Sequence, residues 1–278
     1  MEYNTIDAHQ HFWQFDPVRD SWINEEMAII QHDFLPQQLE KILSENGMDG
    51  SVVVQSDQSE KENKFQLNNA AQYDFIRGVV GWVDLQAADI EDKLSYYQQF
   101  IKLKGFRHVL QGEPQRDIML QPAFKYGISL LNKYGFTYDL LIFPDQLKYA
   151  AQLAAAFPYQ PFVVDHIAKP GIKDSLIAEW EKDITALAAY QNVYCKVSGL
   201  VTEADWNNWK ATNFTPYLDT IVAAFGTNRI MYGSDWPVCL VAADYAKMKQ
   251  IVDDYCSKFS ASEQAAFFGK TATEFYKL

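Results

Sequence analysis

A chain of 278 residues, 48% hydrophobic and 15% aromatic, can fill one large core, and an α/β barrel of about 250 residues fits that length as a single unit. Its formal net charge of −12 argues against nucleic acid or an anionic membrane surface as main partner, though not against a small anionic substrate in a pocket unlike the surface average. Cys195, Cys239 and Cys256 are widely spaced with no CxxC, the first residues lack a basic stretch followed by an apolar one, and no apolar run reaches the roughly 18 residues of a membrane span, so a cytoplasmic protein is expected.

Short β-branched runs alternate with longer segments of helical spacing, which predicts βα units and a parallel sheet. In chain order the runs are TIDAHQH (5–11), GSVVVQ (50–55), IRGVVGWVDL (76–85), KGFRHVLQ (104–111), FTYDLLI (136–142), PFVVDHIAK (161–169), NVYCKVSGL (192–200) and RIMYGSDWPV (229–238). Between them apolar residues recur at helical spacing, as in Leu39, Ile42 and Leu43, in Leu176, Ile177, Trp180, Ile184 and Leu187, and in Phe214, Tyr217, Leu218, Ile221, Val222 and Phe225. Pro36 and Pro144 suit a first helical turn, and Gly47 and Gly135 the residue past a helix end. The long loop at 12–34, with Trp13, Phe15, Trp22 and Phe34, either walls a pocket or packs over the barrel mouth. ASEQAAFFGKTATEFYKL (261–278) closes the chain as an extra helix, and no composition break divides residues 1–278 into two domains. An open doubly wound sheet would want a glycine-rich turn after the first strand. His-Gln-His stands there instead, so the expected fold class is α/β, a single closed eight-stranded (β/α)8 TIM barrel.

Reactive groups of such a barrel sit at the C-terminal ends of its strands. Of the five histidines, His9, His11, His108 and His166 lie at predicted strand ends. His9 and His11 are two apart and so share one strand face, where two imidazoles can hold one metal ion. A bare HxH is a weak signal. Its place on the first of eight strands, with Asp235 on the last, strengthens it, because strands one and eight are neighbours in a closed barrel. Asp235 then reads as a metal ligand and as the base that takes a proton from water, against the plainer reading of a helix cap. His166 is a further ligand, a contact of the attacking water or a group that polarises a carbonyl. Lys196 interrupts an apolar strand and points either into the barrel or out between helices. Arg107 and His108 have opposite faces, so at most one points inward at that level.

IDAHQHFW, DFLP, VVGWVDL, KGFRHVLQ, VVDHIAKP, VYCKVSGL and YGSDWPVC together resemble the amidohydrolase superfamily over essentially the full length, and most nearly its lactonase-like branch, which includes L-fuconolactonase and L-rhamnonolactonase relatives. The resemblance implies hydrolysis of a small sugar-acid lactone by Asp-activated water. It implies Asp235 and His166 as catalytic, and His9, His11 and Asp235 as ligands of one divalent metal, zinc by its donors, which some members work without holding tightly. Arg107, His108 and Lys196 match positions at the pocket mouth, and Trp13 and Trp236 are grouped with them as substrate-binding. Tyr138 and Asp139 stand on strand five where many members carry a histidine ligand, which implies a mononuclear site at most. Thr271 stands where the branch usually has Asn. A homo-oligomer is compatible with the sequence. The alternative is a metal-dependent decarboxylase of a small unsaturated or aromatic acid. A third reading, a sugar-acid binder without activity, has no use for His9, His11 and Asp235 together.

Overall fold

Eight parallel strands follow one another around the sheet in chain order. They are Ile6–Gln10 (β1), Gly50–Val54 (β2), Ile76–Gly81 (β3), Leu103–His108 (β4), Thr137–Leu140 (β5), Phe162–Val164 (β6), Val193–Val197 (β7) and Ile230–Tyr232 (β8). The computed structural model describes residues 4–278. The β1–β8 seam is joined beyond β8, where His11 N donates to Trp236 O (2.7 Å) and Asp235 N donates to His9 O (2.8 Å). This is the expected (β/α)8 barrel.

The helices between the strands are Pro36–Glu45 (α1), Glu60–Gln72 (α2), Ile90–Tyr97 (α3), Pro122–Leu131 (α4), Leu147–Ala156 (α5), Ala178–Ala188 (α6) and Ala211–Phe225 (α7). Tyr245–Cys256 (α8) follows the last strand. Pro36 opens α1, and Pro144 opens a 3₁₀ turn that leads into α5. Gly47 and Gly135 have left-handed φ of 69° and 80°, as the residue past a helix end often does. Leu176, expected on the face of α6, precedes that helix and is exposed.

The strands are shorter than their apolar runs because the chain turns sharply at their ends. After Val164 it enters a turn in which His166, Ile167, Ala168 and Lys169 all have left-handed φ, between 49° and 59°. Each such non-glycine residue costs about 1–2 kcal/mol, so the surrounding packing must hold the turn. Along β1 the pairing with β2 slips between Asp7 and Gln10. Across that slip Ala8 packs with Ile6, Val52, Val80 and Met231, while His9 meets Lys196 and Asp165. The closing segment is helical over Ala261–Ala265 (α9), one wide turn at Ala266–Lys270, and Thr271–Tyr276 (α10). Phe275 and Tyr276 of α10 join the same apolar cluster as Ile6 and Ala8.

The 12–34 loop does both things expected of it. Its ends pair as Trp13 with Phe34 through two backbone hydrogen bonds of 3.0 and 2.9 Å. Trp13 and Phe34 are buried in packing, while Trp22 and Met27 reach a cavity at the barrel mouth.

Candidate active site

The cavity encloses about 390 Å³ at the C-terminal ends of the strands, a size suited to a small organic molecule. His11, Arg107, Lys169, His166, Glu203 and Asp235 open onto it.

His11 is fixed by its Nδ1, 2.7 Å from Val54 O. A carbonyl only accepts, so Nδ1 carries the hydrogen and Nε2 keeps its lone pair. That Nε2 lies 3.2 Å from His9 Nε2. Asp235 Oδ1 lies 3.4 Å from His11 Nε2 and 3.8 Å from His9 Nε2. These three ligand atoms lie close enough together, and are of the nitrogen and carboxylate types, to converge on one small cation. The residue types and their spacing therefore fit one divalent ion.

Two glycines let the histidines approach. A Cβ on Gly233 would come 2.7 Å from His9 Cβ, and one on Gly199, whose φ is 62°, would come 2.6 Å from His166 Nδ1. Real side chains do not fit there. His166 Nδ1 meets Ser198 Oγ at 2.9 Å, and its Nε2 is 3.9 Å from Asp235 Oδ1. Burial holds the His9 and His166 imidazoles well below their usual pKa, so both are neutral. Burial opposes charge on Asp235, but His166 and His11 beside it outweigh that and keep its carboxyl below the usual value. Its backbone φ is 58°, which aims the carboxylate at the histidines, and its side chain caps no helix.

Beneath the cavity lies a second polar group, centred on Lys196. Lys196 points inward and is fully buried, with Nζ 2.5 Å from Asp139 Oδ2, 3.0 Å from Asp165 Oδ1 and 3.2 Å from His9 Nδ1. Tyr276 Oη, from α10, donates to Asp139 Oδ2 at 2.8 Å. Arg107 Nη1 donates to Asp165 Oδ2 at 3.0 Å, and Nη2 to Gln55 O at 2.5 Å. Burial opposes charge on Asp165, yet Lys196, His9 and Arg107 hold it well below its usual pKa, whereas burial pushes Asp139 up to about 6.

Several expected substrate contacts fall elsewhere. Of Arg107 and His108, Arg107 faces the cavity. His108 turns away, its Nε2 2.7 Å from Glu113 Oε1 and its Nδ1 accepting from Trp82 Nε1 at 3.3 Å. Trp13 and Trp236 pack edge-on against Phe34 and do not line the cavity, and Lys196 lies below it. Lys169 and Glu203 line the cavity as a pair with Nζ and Oε1 3.6 Å apart, and were missed. The clue to Lys169 was in DHIAKP, but it takes the left-handed turn to bring that lysine round.

The amidohydrolase family model matches residues 6–278. The chain is 36% identical to a Burkholderia multivorans protein described as L-fucono-1,5-lactonase, covering 98% of this chain and 96% of that one. It is 33% identical to a Burkholderia ambifaria protein of the same description, over 98% and 95% of the two chains. A solved structure of an amidohydrolase from Burkholderia multivorans with bound zinc superposes with a TM-score of 0.96 at 35% identity, covering 99% of both chains.

Proposed function

The chain belongs to the amidohydrolase family, and from that premise we propose that it opens a sugar-acid lactone of the L-fucono-1,5-lactone kind, with Asp235 as the base that activates water. One observation carries this reading: the Asp235 carboxylate lies 3.4 Å from His11 Nε2 and opens onto the cavity. The names of the relatives at 36% and 33% identity supply the substrate class.

In this mechanism Asp235 takes a proton from water, and the water oxygen attacks the lactone carbonyl. His166, its Nδ1 held 2.9 Å from Ser198 Oγ, serves in this mechanism as the Nε2–H donor to the oxygen on which charge develops. Arg107 places a fixed positive charge beside His9 on the same side of the cavity. The carbonyl re-forms as the ring C–O bond breaks, the proton from Asp235 passes to the departing ring oxygen, and the open-chain hydroxy acid leaves. A divalent ion held by His9 Nε2, His11 Nε2 and Asp235 would lower the pKa of a water and polarise the carbonyl. Cys195, Cys239 and Cys256 are free and buried, which supports a reducing, cytoplasmic setting. No helix among the described residues is long and apolar enough to cross a membrane.

A pH-indicator screen of aldonolactones, with and without a chelator, tests both parts. Acid release from 1,5-lactones, slowed by the chelator, is the expected result. No acid from any lactone, or carbon dioxide from an aromatic acid instead, would overturn the reading.

A further inference from the structure

Two charged side chains that line the cavity, Lys169 and Glu203, take no part in the mechanism above. Lys169 is carried in by the left-handed turn after β6, where its N donates to His166 O at 2.8 Å. Glu203 ends a 3₁₀ turn, Val201–Glu203, beyond β7, and its O accepts from Lys173 N at 3.0 Å. Strands β6 and β7 pair with each other, so the two turns stand side by side. Lys169 Nζ lies 3.6 Å from Glu203 Oε1, and the two side chains keep 19% and 21% of their surface accessible. Among the described residues neither side chain makes another hydrogen bond or ion pair, and Nζ also lies 5.9 Å from the centre of the Phe143 ring.

A direct ammonium–carboxylate hydrogen bond spans about 2.7–2.9 Å. At 3.6 Å the two charges still attract, but most of the donors of the ammonium and lone pairs of the carboxylate stay free for a ligand. A hydroxyl suits such a pair, because it accepts from Nζ and donates to Oε1 at once. A carboxylate does not: it has no hydrogen to donate, and Glu203 repels it. Burial raises the Glu203 carboxyl above its usual value, Lys169 lowers it, and Asp235 raises it again, so the pair stands within electrostatic reach of the reaction centre. We propose that Lys169 and Glu203 form a subsite for the hydroxyls of the lactone, and that Glu203 is a specificity-determining residue that selects neutral polyhydroxy lactones against lactones bearing a free carboxylate. The inference rests on the lactonase reading above and narrows its substrate class.

The test measures kcat/KM for L-fucono-1,5-lactone and for galactaro-1,5-lactone, which has a carboxylate in place of the methyl group, in the wild type, Glu203→Gln and Lys169→Met. The wild type is expected to favour the neutral lactone on the order of 100-fold, as a like-charge contact in a partly buried site demands. Glu203→Gln keeps the size of the side chain and its hydrogen bonding but removes the repulsion. It is expected to narrow that ratio at least about tenfold, by speeding the carboxylate lactone. Lys169→Met removes the donor, and is expected to lower kcat/KM on the neutral lactone about 10- to 100-fold, chiefly through KM, with no gain on the carboxylate lactone. An unchanged ratio in Glu203→Gln, an unchanged KM in Lys169→Met, or an active wild type that opens both lactones alike overturns this inference and leaves the lactonase reading standing. A chain inert to every lactone overturns both.

Discussion

Two sets of charged side chains share the interior of the barrel, one facing the cavity and one facing the C-terminal helix. His11, His166 and Asp235 open onto the cavity, while Lys196, Asp139 and Tyr276 are sealed beneath it, with His9 and Asp165 between. The residue types are similar and the exposure is not. Upper groups can meet substrate and water. Lower groups meet only one another, so their chemistry is spent on holding His9 and Asp165 in place. Ionisable residues inside a barrel are thus not all reaction machinery, and accessibility rather than residue type separates the two sets.

The largest expected effect breaks the upper set. Asp235→Asn keeps the shape of the side chain, and Asn is among the few residues that tolerate the left-handed backbone there. It removes the base, so kcat/KM on the active lactone should fall by about 10²–10⁴. The urea-unfolding midpoint should stay near that of the wild type, since the Asp235 N–H to His9 O bond is a backbone contact. Retained activity would remove Asp235 from the role given it.

The lower set should answer in stability instead. Lys196→Met leaves Asp139 and Asp165 buried without their ammonium, and breaking one partner of a buried ion pair costs about 3–5 kcal/mol. Adding Asp139→Asn removes one of the stranded charges and should recover most of that loss, because Asp165 still has Arg107. Urea melts of the single and double variants measure both steps. A single variant as stable as the wild type would show that the sealed network is not what holds the barrel base.

How far each set could be read from residues alone follows from geometry. The eight strands were legible because β-branched runs and turns recur along the chain, and His9, His11 and Asp235 because a closed barrel makes its first and last strands neighbours. Lys196 and Asp139 were visible as polar residues on strands five and seven. Their pairing was not, since strand parity leaves the inward direction open until one residue is placed. His108 beside Arg107 shows the same ambiguity resolved by structure. Trp13 lies beyond the end of β1, so the alternation that puts His9 and His11 on one face no longer governs it. Lys169 reaches the cavity through four left-handed residues in a row, none of them glycine, which no propensity anticipates.

Asp7 sharpens the comparison from a third position. It is sealed like Asp139 and Asp165, but no cation among the described residues contacts it. Its Oδ1 accepts from Ser234 N at 2.9 Å and His9 N at 3.2 Å, and its Oδ2 from Tyr245 Oη at 3.0 Å. Burial outweighs those bonds and pushes its carboxyl from 3.8 up to about 6. The folded state therefore holds this proton more tightly than the unfolded chain does. The stabilisation from protonated Asp7 is complete below pH 3.8 and is lost as pH rises through about 6. An asparagine can keep both backbone contacts through its oxygen and turn its amide to Tyr245 Oη, with nothing to ionise. Asp7→Asn should thus gain on the wild type by about 2.4 kcal/mol between pH 4 and pH 7.5, at about 1.36 kcal/mol per pH unit across the shifted range. Unfolding free energies of the two proteins across that range give the difference directly, and other titrating groups cancel from it. Parallel curves would mean that Asp7 ionises in the fold as readily as in water, and that a sealed carboxylate here does not need a cation.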